Sequence, residues 1–342
     1  MSRRIIRLIA ILPLVVLSYA AGFPTAEISN REIRAKLYLP DAAEGFYRST
    51  RFDWSGVIHS LVYQGHDYYG PWFNQLDPSV RDFTHRDGQI VVGAVSAMTG
   101  PVEEFQRPLG YDTAAVGGTF LKVGVGILRK PDDTNYAAFR PYEIVDSGKW
   151  KVNKKADSVE FVQDLNDRAL GYAYIYSKTI RLTPAKPEMV ISHRLINTGR
   201  LPIKTNVYNH NFLVLDRLPP GPDYSITVPY ALKTNRPPDA QFAEIRGNRI
   251  AYIKNLENEE RVAFPMLGFG AEAKDYDFRI ENAKAGVGMR ITGDRPLSNA
   301  ALWSIRSVVA VEPFLDVSAE PGKEFTWSYT YTFYALPKAH TP

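Results

Sequence analysis

The 342-residue chain has no cysteine. That excludes disulfides, thiolate metal ligands, a cysteine nucleophile and a lipid-modified amino-terminal cysteine. Its core must therefore hold by packing alone, and 45% hydrophobic and 12% aromatic residues at this length suffice for one large core. Also missing are a Walker A loop, a His-Glu-x-x-His pair, an EF-hand loop and a Gly-x-Ser-x-Gly elbow. Gly268-Phe269-Gly270-Ala271-Glu272-Ala273 fits the loose dinucleotide pattern, but it leads into an extended-looking segment, 275–280, where the fingerprint needs a helix. No cofactor and no metal is expected. No Lys/Arg cluster interleaves with aromatics, so nucleic acid is not an expected partner.

The amino terminus has the layout of an export leader. Arg3, Arg4 and Arg7 precede an apolar run, residues 8–17, which ends in Ser18-Tyr19-Ala20-Ala21. The run is shorter than the roughly 20 residues of a membrane span and contains Pro13, so cleavage near Ala20 or Ala21 is expected rather than a lasting anchor. The expected location is periplasmic or extracellular. The leader carries three arginines and no acid, so without it the formal charge of +4 falls to +1 and the sequence pI says little about partners.

Beyond residue 21, segments rich in Val, Ile, Thr, Tyr and Phe recur between Gly, Pro, Asn and Asp. In 325–333 aromatic and small polar residues alternate strictly, which places the rings on one face of a sheet. Further strands are expected over 120–128, 159–165, 172–182, 189–197, 203–215, 286–292 and 307–311. There is no long amphipathic helix and no repeat of fixed period, which argues against a propeller. The chain reads as a leader, 1–21, and one all-β domain, 22–342, folded as a large antiparallel β-sandwich.

Two positions stand out chemically. His210 has Asn209 and Asn211 on either side within an otherwise apolar strand, an arrangement shared by a satisfied core histidine and by a site in which amides meet a polyhydroxylated ligand. Glu312 follows the apolar run 308–311 and precedes Pro313. It reads either as a solvated strand end or as a carboxylate whose partial burial raises its pKa.

In this order, Asn209-His210-Asn211-Phe212, then Val311-Glu312-Pro313, then Pro321-Gly322 and a final aromatic strand, the chain resembles the galactose mutarotase or aldose 1-epimerase superfamily. The resemblance implies the galactose mutarotase-like supersandwich, with His210 and Glu312 catalytic. Tyr276-Asp277 is similar to the sugar-binding Tyr-Asp pair of that family, and Arg51 to its arginine. Where a second histidine is usual, this chain has Glu103-Glu104. The resemblance implies that Asn209, Asn211, Asp277 and Arg51 orient hydroxyls, with Glu103 and Glu104 as further candidates and Trp72 or Trp54 as an apolar platform. Glu312 would act as base and His210 as acid when a hemiacetal opens, across a sugar-sized gap.

The implied ligand is a small sugar or a glycan end. Two further readings share the architecture: a carbohydrate-binding protein without turnover, and a polysaccharide lyase-like enzyme in which Arg51 and Lys122 neutralise a uronate. A purely structural surface protein has no repeat or low-complexity segment behind it.

Overall fold

Period-two alternation is most regular in Tyr172–Leu182 and Glu324–Ala335, where nearly every second side chain is buried. These strands belong to a ten-stranded sheet whose other members include Ser158–Asp167, Glu188–Asn197, Val287–Gly293 and Asp277–Asn282. A five-stranded sheet contains, in spatial order, Arg261–Pro265, Asn299–Ile305, Val308–Ala319, Ile203–His210 and Val102–Phe105. All neighbours in both sheets pair antiparallel. The computed structural model describes residues 22–167 and 169–337. The expected leader lies outside the described residues.

The two sheets face each other across a large core. Trp327, Tyr329, Tyr331 and Phe333 of one sheet point at the same interior as Val207, Val309, Val311 and Leu315 of the other. A second cluster, including Tyr47, Phe52, Trp54, Trp72, Tyr208, Phe212 and Phe314, covers the outer face of the five-stranded sheet. That sheet is therefore buried on both sides, which is why 308–311 reads as a continuous apolar run. Truncating a buried ring such as Phe52 to alanine costs about 3–5 kcal/mol.

The all-β antiparallel sandwich expected from the alternation is the architecture found. Two short 3-10 turns, Leu215–Arg217 and Ala273–Asp275, are the helical elements among the described residues. None of those residues forms a helix long and apolar enough to cross a membrane.

Three boundaries differ from expectation. Residues 120–128 are a hairpin, Thr119–Lys122 and Gly126–Arg129, because Gly124 turns the chain at a φ of 77°. The strand from Ile203 ends at His210, since Phe212 adopts a φ of 28°. The strand expected over 307–311 instead runs from Val308 to Ala319, straight through Pro313.

Candidate active site

Strand register brings His210 and Glu312 together. The His210 strand pairs with the Glu312 strand from Ile203↔Ala319 to Tyr208↔Phe314. The same offset returns in the Leu213↔Val309 bridge, so His210 lies opposite Glu312. Directly opposed residues share a face, and His210 Nε2 stands 3.1 Å from Glu312 Oε1. The continuous ladder stops one position short of Pro313, which has no N–H to give it.

Neighbouring backbone closes tightly on this point. Val102 lies across from His210 on the other side, and a Cβ on nearby Gly100 would come within 2.7 Å of the Asn211 carbonyl oxygen. Only glycine leaves room for that approach.

The imidazole is held by rings. Phe212 stacks on it at 3.5 Å between centroids, Trp72 stacks on Phe212 at 5.4 Å, and Trp303 stands edge-on to His210 at 5.6 Å. The positive φ of Phe212 costs about 1–3 kcal/mol of strain, and this two-sided stacking keeps its ring in place.

Burial pushes the Glu312 carboxyl up to about 7, against the lowering influence of Arg51 and with a further push from Glu104. Burial also takes His210 well below its ordinary value, and the Arg51 charge adds to that fall. Both shifts favour uncharged forms. The close contact is therefore biased towards a carboxylic acid beside a neutral imidazole and away from an ion pair. His210 Nδ1 has no hydrogen-bond partner among the described residues.

The pair lies in a cavity of about 450 Å3, lined also by Arg51, Trp72, Asp82, Ser96, Phe139 and Trp303. The volume lies within the range of small-molecule sites. Arg51 is fixed from several sides. Its Nε donates to Glu104 Oε2 at 2.9 Å, one NH2 group to Tyr208 Oη at 3.0 Å and the other to Ser96 Oγ at 3.2 Å. Glu104 is thus its main counter-charge, with Asp82 at 3.7 Å. The ring of Phe139 lies 4.2 Å from the guanidinium carbon.

No protein-family model and no curated protein matches the sequence. Solved structures do match its shape. An aldose epimerase homologue from C. elegans superposes with a TM-score of 0.54 at 15% identity, over 92% of this chain and 100% of that one. A galactose mutarotase related enzyme from Lactobacillus acidophilus gives 0.52 at 12% identity, over 92% and 99%. A protein from Synechocystis sp. PCC 6803 gives 0.53 at 12% identity, over 92% and 96%. This chain has the galactose mutarotase-like fold.

Within the galactose mutarotase-like fold, several expected sugar contacts lie away from the cavity. Asn209 and Asn211 alternate with His210 and so leave the opposite side of the strand. Asn209 Nδ2 donates to Tyr331 Oη at 2.6 Å, and that hydroxyl donates to Asn211 Oδ1 at 2.9 Å, inside the sandwich. Glu103 also points inward, against Lys178 and His193. Glu104 is on the cavity side but lies beneath Arg51 and Tyr208 rather than in the lining. Asp277 is far from the pair in the fold, at the start of a strand of the larger sheet, where Arg290 engages both its oxygens at 2.8 and 2.6 Å. Tyr276 is buried beside Phe278 and Tyr329.

Trp72 does line the cavity, with one face taken by Phe212, whereas Trp54 is core and donates to the Ser49 carbonyl. Lys122 closes on Glu104 and Tyr136, so neither cation proposed for a uronate is without a counter-charge. The sugar-sized gap expected between His210 and Glu312 is absent, because they are cross-strand neighbours in direct contact. Among the described residues no group of three or more His, Asp and Glu side chains is arranged to hold a metal ion.

Sequence reasoning missed Trp303, Asp82, Ser96, Phe139, Asn235 and Arg236 as cavity residues. Trp303 stands opposite Ala310 on the strand that pairs with 308–314, a placement that only the fold supplies. The others lie outside regular strands, where no periodicity tells which way a side chain points.

Proposed function

We propose that the protein is an aldose 1-epimerase, converting the α and β forms of a reducing sugar with His210 and Glu312 as its acid–base pair. The observation that carries this reading is an imidazole and a carboxyl in contact at 3.1 Å in the wall of a ligand-sized cavity. Opening a hemiacetal removes the proton from the anomeric hydroxyl, breaks the bond from C1 to the ring oxygen and delivers a proton to that oxygen. Rotation about C1–C2 followed by closure reverses these steps on the other face.

Both reacting oxygens are bonded to the same carbon, so they are close together and need no acid and base on opposite walls. A sugar lying edge-on over the pair puts one oxygen above Glu312 Oε1 and the other above His210 Nε2. With one proton on the pair, either arrangement supplies one acid and one base. Passing the resting proton from Glu312 to His210 gives the carboxylate base and imidazolium acid that open the ring, and the roles exchange on closure. Arg51, held in place by Glu104, Tyr208 and Ser96, is set to orient a hydroxyl.

Polarimetry tests the proposal. His210→Asn and Glu312→Gln are each expected to slow anomer exchange by about a hundredfold or more. Unchanged rates in both variants reject it. Sugar binding by the wild type with no acceleration would leave a carbohydrate-binding protein of the same fold.

A further inference from the structure

Apart from the His210–Glu312 cavity, a smaller one of about 260 Å3 lies against Trp72, which lines both. Two arginines, Arg217 and Arg306, line it together with Asn74, and no Asp or Glu does. Arg306 stands at the tip of the hairpin that joins Asn299–Ile305 to Val308–Ala319, where Ile305 pairs with Val308. Ser307 Oγ donates to the Trp72 carbonyl at 2.7 Å and the Arg306 guanidinium donates to the Gly88 carbonyl, so that tip is tied to two other segments of the wall. Arg217 ends the 3-10 turn Leu215–Arg217, in which Asp216 and Arg217 hold positive φ values of 47° and 55°. Side chains seldom adopt that conformation. Here Asp216 pins it, accepting from the Asp67 N–H at 2.9 Å and meeting His66 Nδ1 at 2.7 Å.

Charge and hydrogen bonding in this cavity are one-sided. Asp216 is committed to His66 and Asp67, and Asp77 to Arg86 at 3.0 Å; among the described residues neither Arg217 nor Arg306 is in an ion pair. Asn74 Oδ1 accepts from the Ile90 N–H at 2.8 Å, which leaves the NH2 group of that amide as a donor. Arg306 keeps further N–H groups after serving Gly88, while the carbonyls of Trp72 and Gly88 already accept from Ser307 and Arg306. The wall therefore offers donors and positive charge. Like charges brought into one concavity repel, and an anion between them turns that repulsion into attraction. Donors on three separate segments, at residues 74, 217 and 306, suit the several oxygens of a tetrahedral oxyanion better than the two of a planar carboxylate.

We propose that this cavity is an anion site that binds a phosphate or sulfate group through Arg217, Arg306 and Asn74. Its volume admits the free ion or a small ester of it. Trp72 is the one lining residue it shares with the cavity of His210 and Glu312, so the proposal stands independently of the epimerase reading.

Calorimetry at low ionic strength tests it, with inorganic phosphate, inorganic sulfate, glycerol phosphate and acetate as probes. The intact protein is compared with Arg217→Gln, Arg306→Gln and Arg249→Gln. The wild type is expected to bind phosphate with a Kd of about 1 mM or tighter, and acetate at least about tenfold more weakly. Arg217→Gln and Arg306→Gln should each weaken phosphate binding at least about tenfold. Arg249→Gln makes the same change of charge at an exposed arginine of the larger sheet and should leave the affinity within about twofold. If one of the two cavity variants does not fold, the other decides. Tighter binding of glycerol phosphate than of phosphate upholds the site as one for a phosphorylated small molecule, and the reverse order upholds it as one for the free ion. The proposal is overturned by a lack of saturable binding of phosphate, sulfate and the ester alike, or by equal affinity for acetate. Unchanged affinity in a folded cavity variant, or a loss in Arg249→Gln as large as in the cavity variants, overturns it too.

Discussion

Glu312 owes its high proton affinity to being a carboxyl in a largely apolar cavity, and this has consequences for both activity and stability. In the fold its proton leaves at about 7, against an ordinary value of 4.5. Because His210 is shifted down, the pair holds one proton up to about pH 7 and none above it. Epimerase activity that needs that proton is expected to hold just below pH 7 and decline above it. A kcat/KM profile that instead rises through pH 7 would contradict the shared-proton scheme.

The same shift has a sign for stability. Between 4.5 and 7 the folded protein keeps a proton that the unfolded chain has released, so ionising Glu312 costs stability that is absent below 4.5 and fully present above 7. Glu312→Gln removes a cost of up to about 3 kcal/mol. The variant should therefore gain on the wild type between pH 4.5 and about pH 8, measured by denaturant unfolding. A difference that stays constant with pH would mean that Glu312 ionises as in water.

At the scale of the strand, alternation decides which neighbours reach the site. Glu103 and Glu104 are adjacent and both buried, yet they serve different layers. Burial alone would raise the Glu103 carboxyl, but Lys178 and His193 hold it down at about 2. Glu103→Gln leaves the Lys178 charge inside the sandwich poorly matched and should cost about 3–5 kcal/mol, with the sugar KM little changed. Glu104→Gln loosens Arg51 and should raise KM by about tenfold. Unfolding curves read together with kinetics separate the two, and matching KM shifts in both variants would refute the two-layer assignment.

Alternation also explains what was and was not legible at this scale. The strands 172–182 and 325–333 could be read directly because each keeps one face in the core. The period of two already implied that Asn209 and Asn211 turn away from His210, although an Asn-His-Asn run looks like one polar site. What no local pattern conveyed was the offset between the strands of His210 and Glu312, which turned an expected gap into a contact.

Across the whole molecule, the five-stranded sheet lies between two cores, and the cavity opens on the side away from the larger sheet. A buried inner layer backs the outer face on which His210 and Glu312 meet. We also propose that the protein is exported, on the strength of the basic and apolar residues 1–21. Mass spectrometry of the protein recovered from the periplasm or medium should find its amino terminus near residue 21 or 22, and a chain retaining Met1 there would refute cleavage.

The sequence by itself determined the β class and the antiparallel sandwich and singled out His210 and Glu312 as candidates, because alternation and the isolation of a titratable group in an apolar run are local properties of the chain. The tertiary structure alone decided that His210 touches Glu312, that Arg51 answers to Glu104, and that Asp277 belongs elsewhere. These follow from strand offset and from the folding of irregular segments over a sheet, which depend on contacts between residues far apart in the chain.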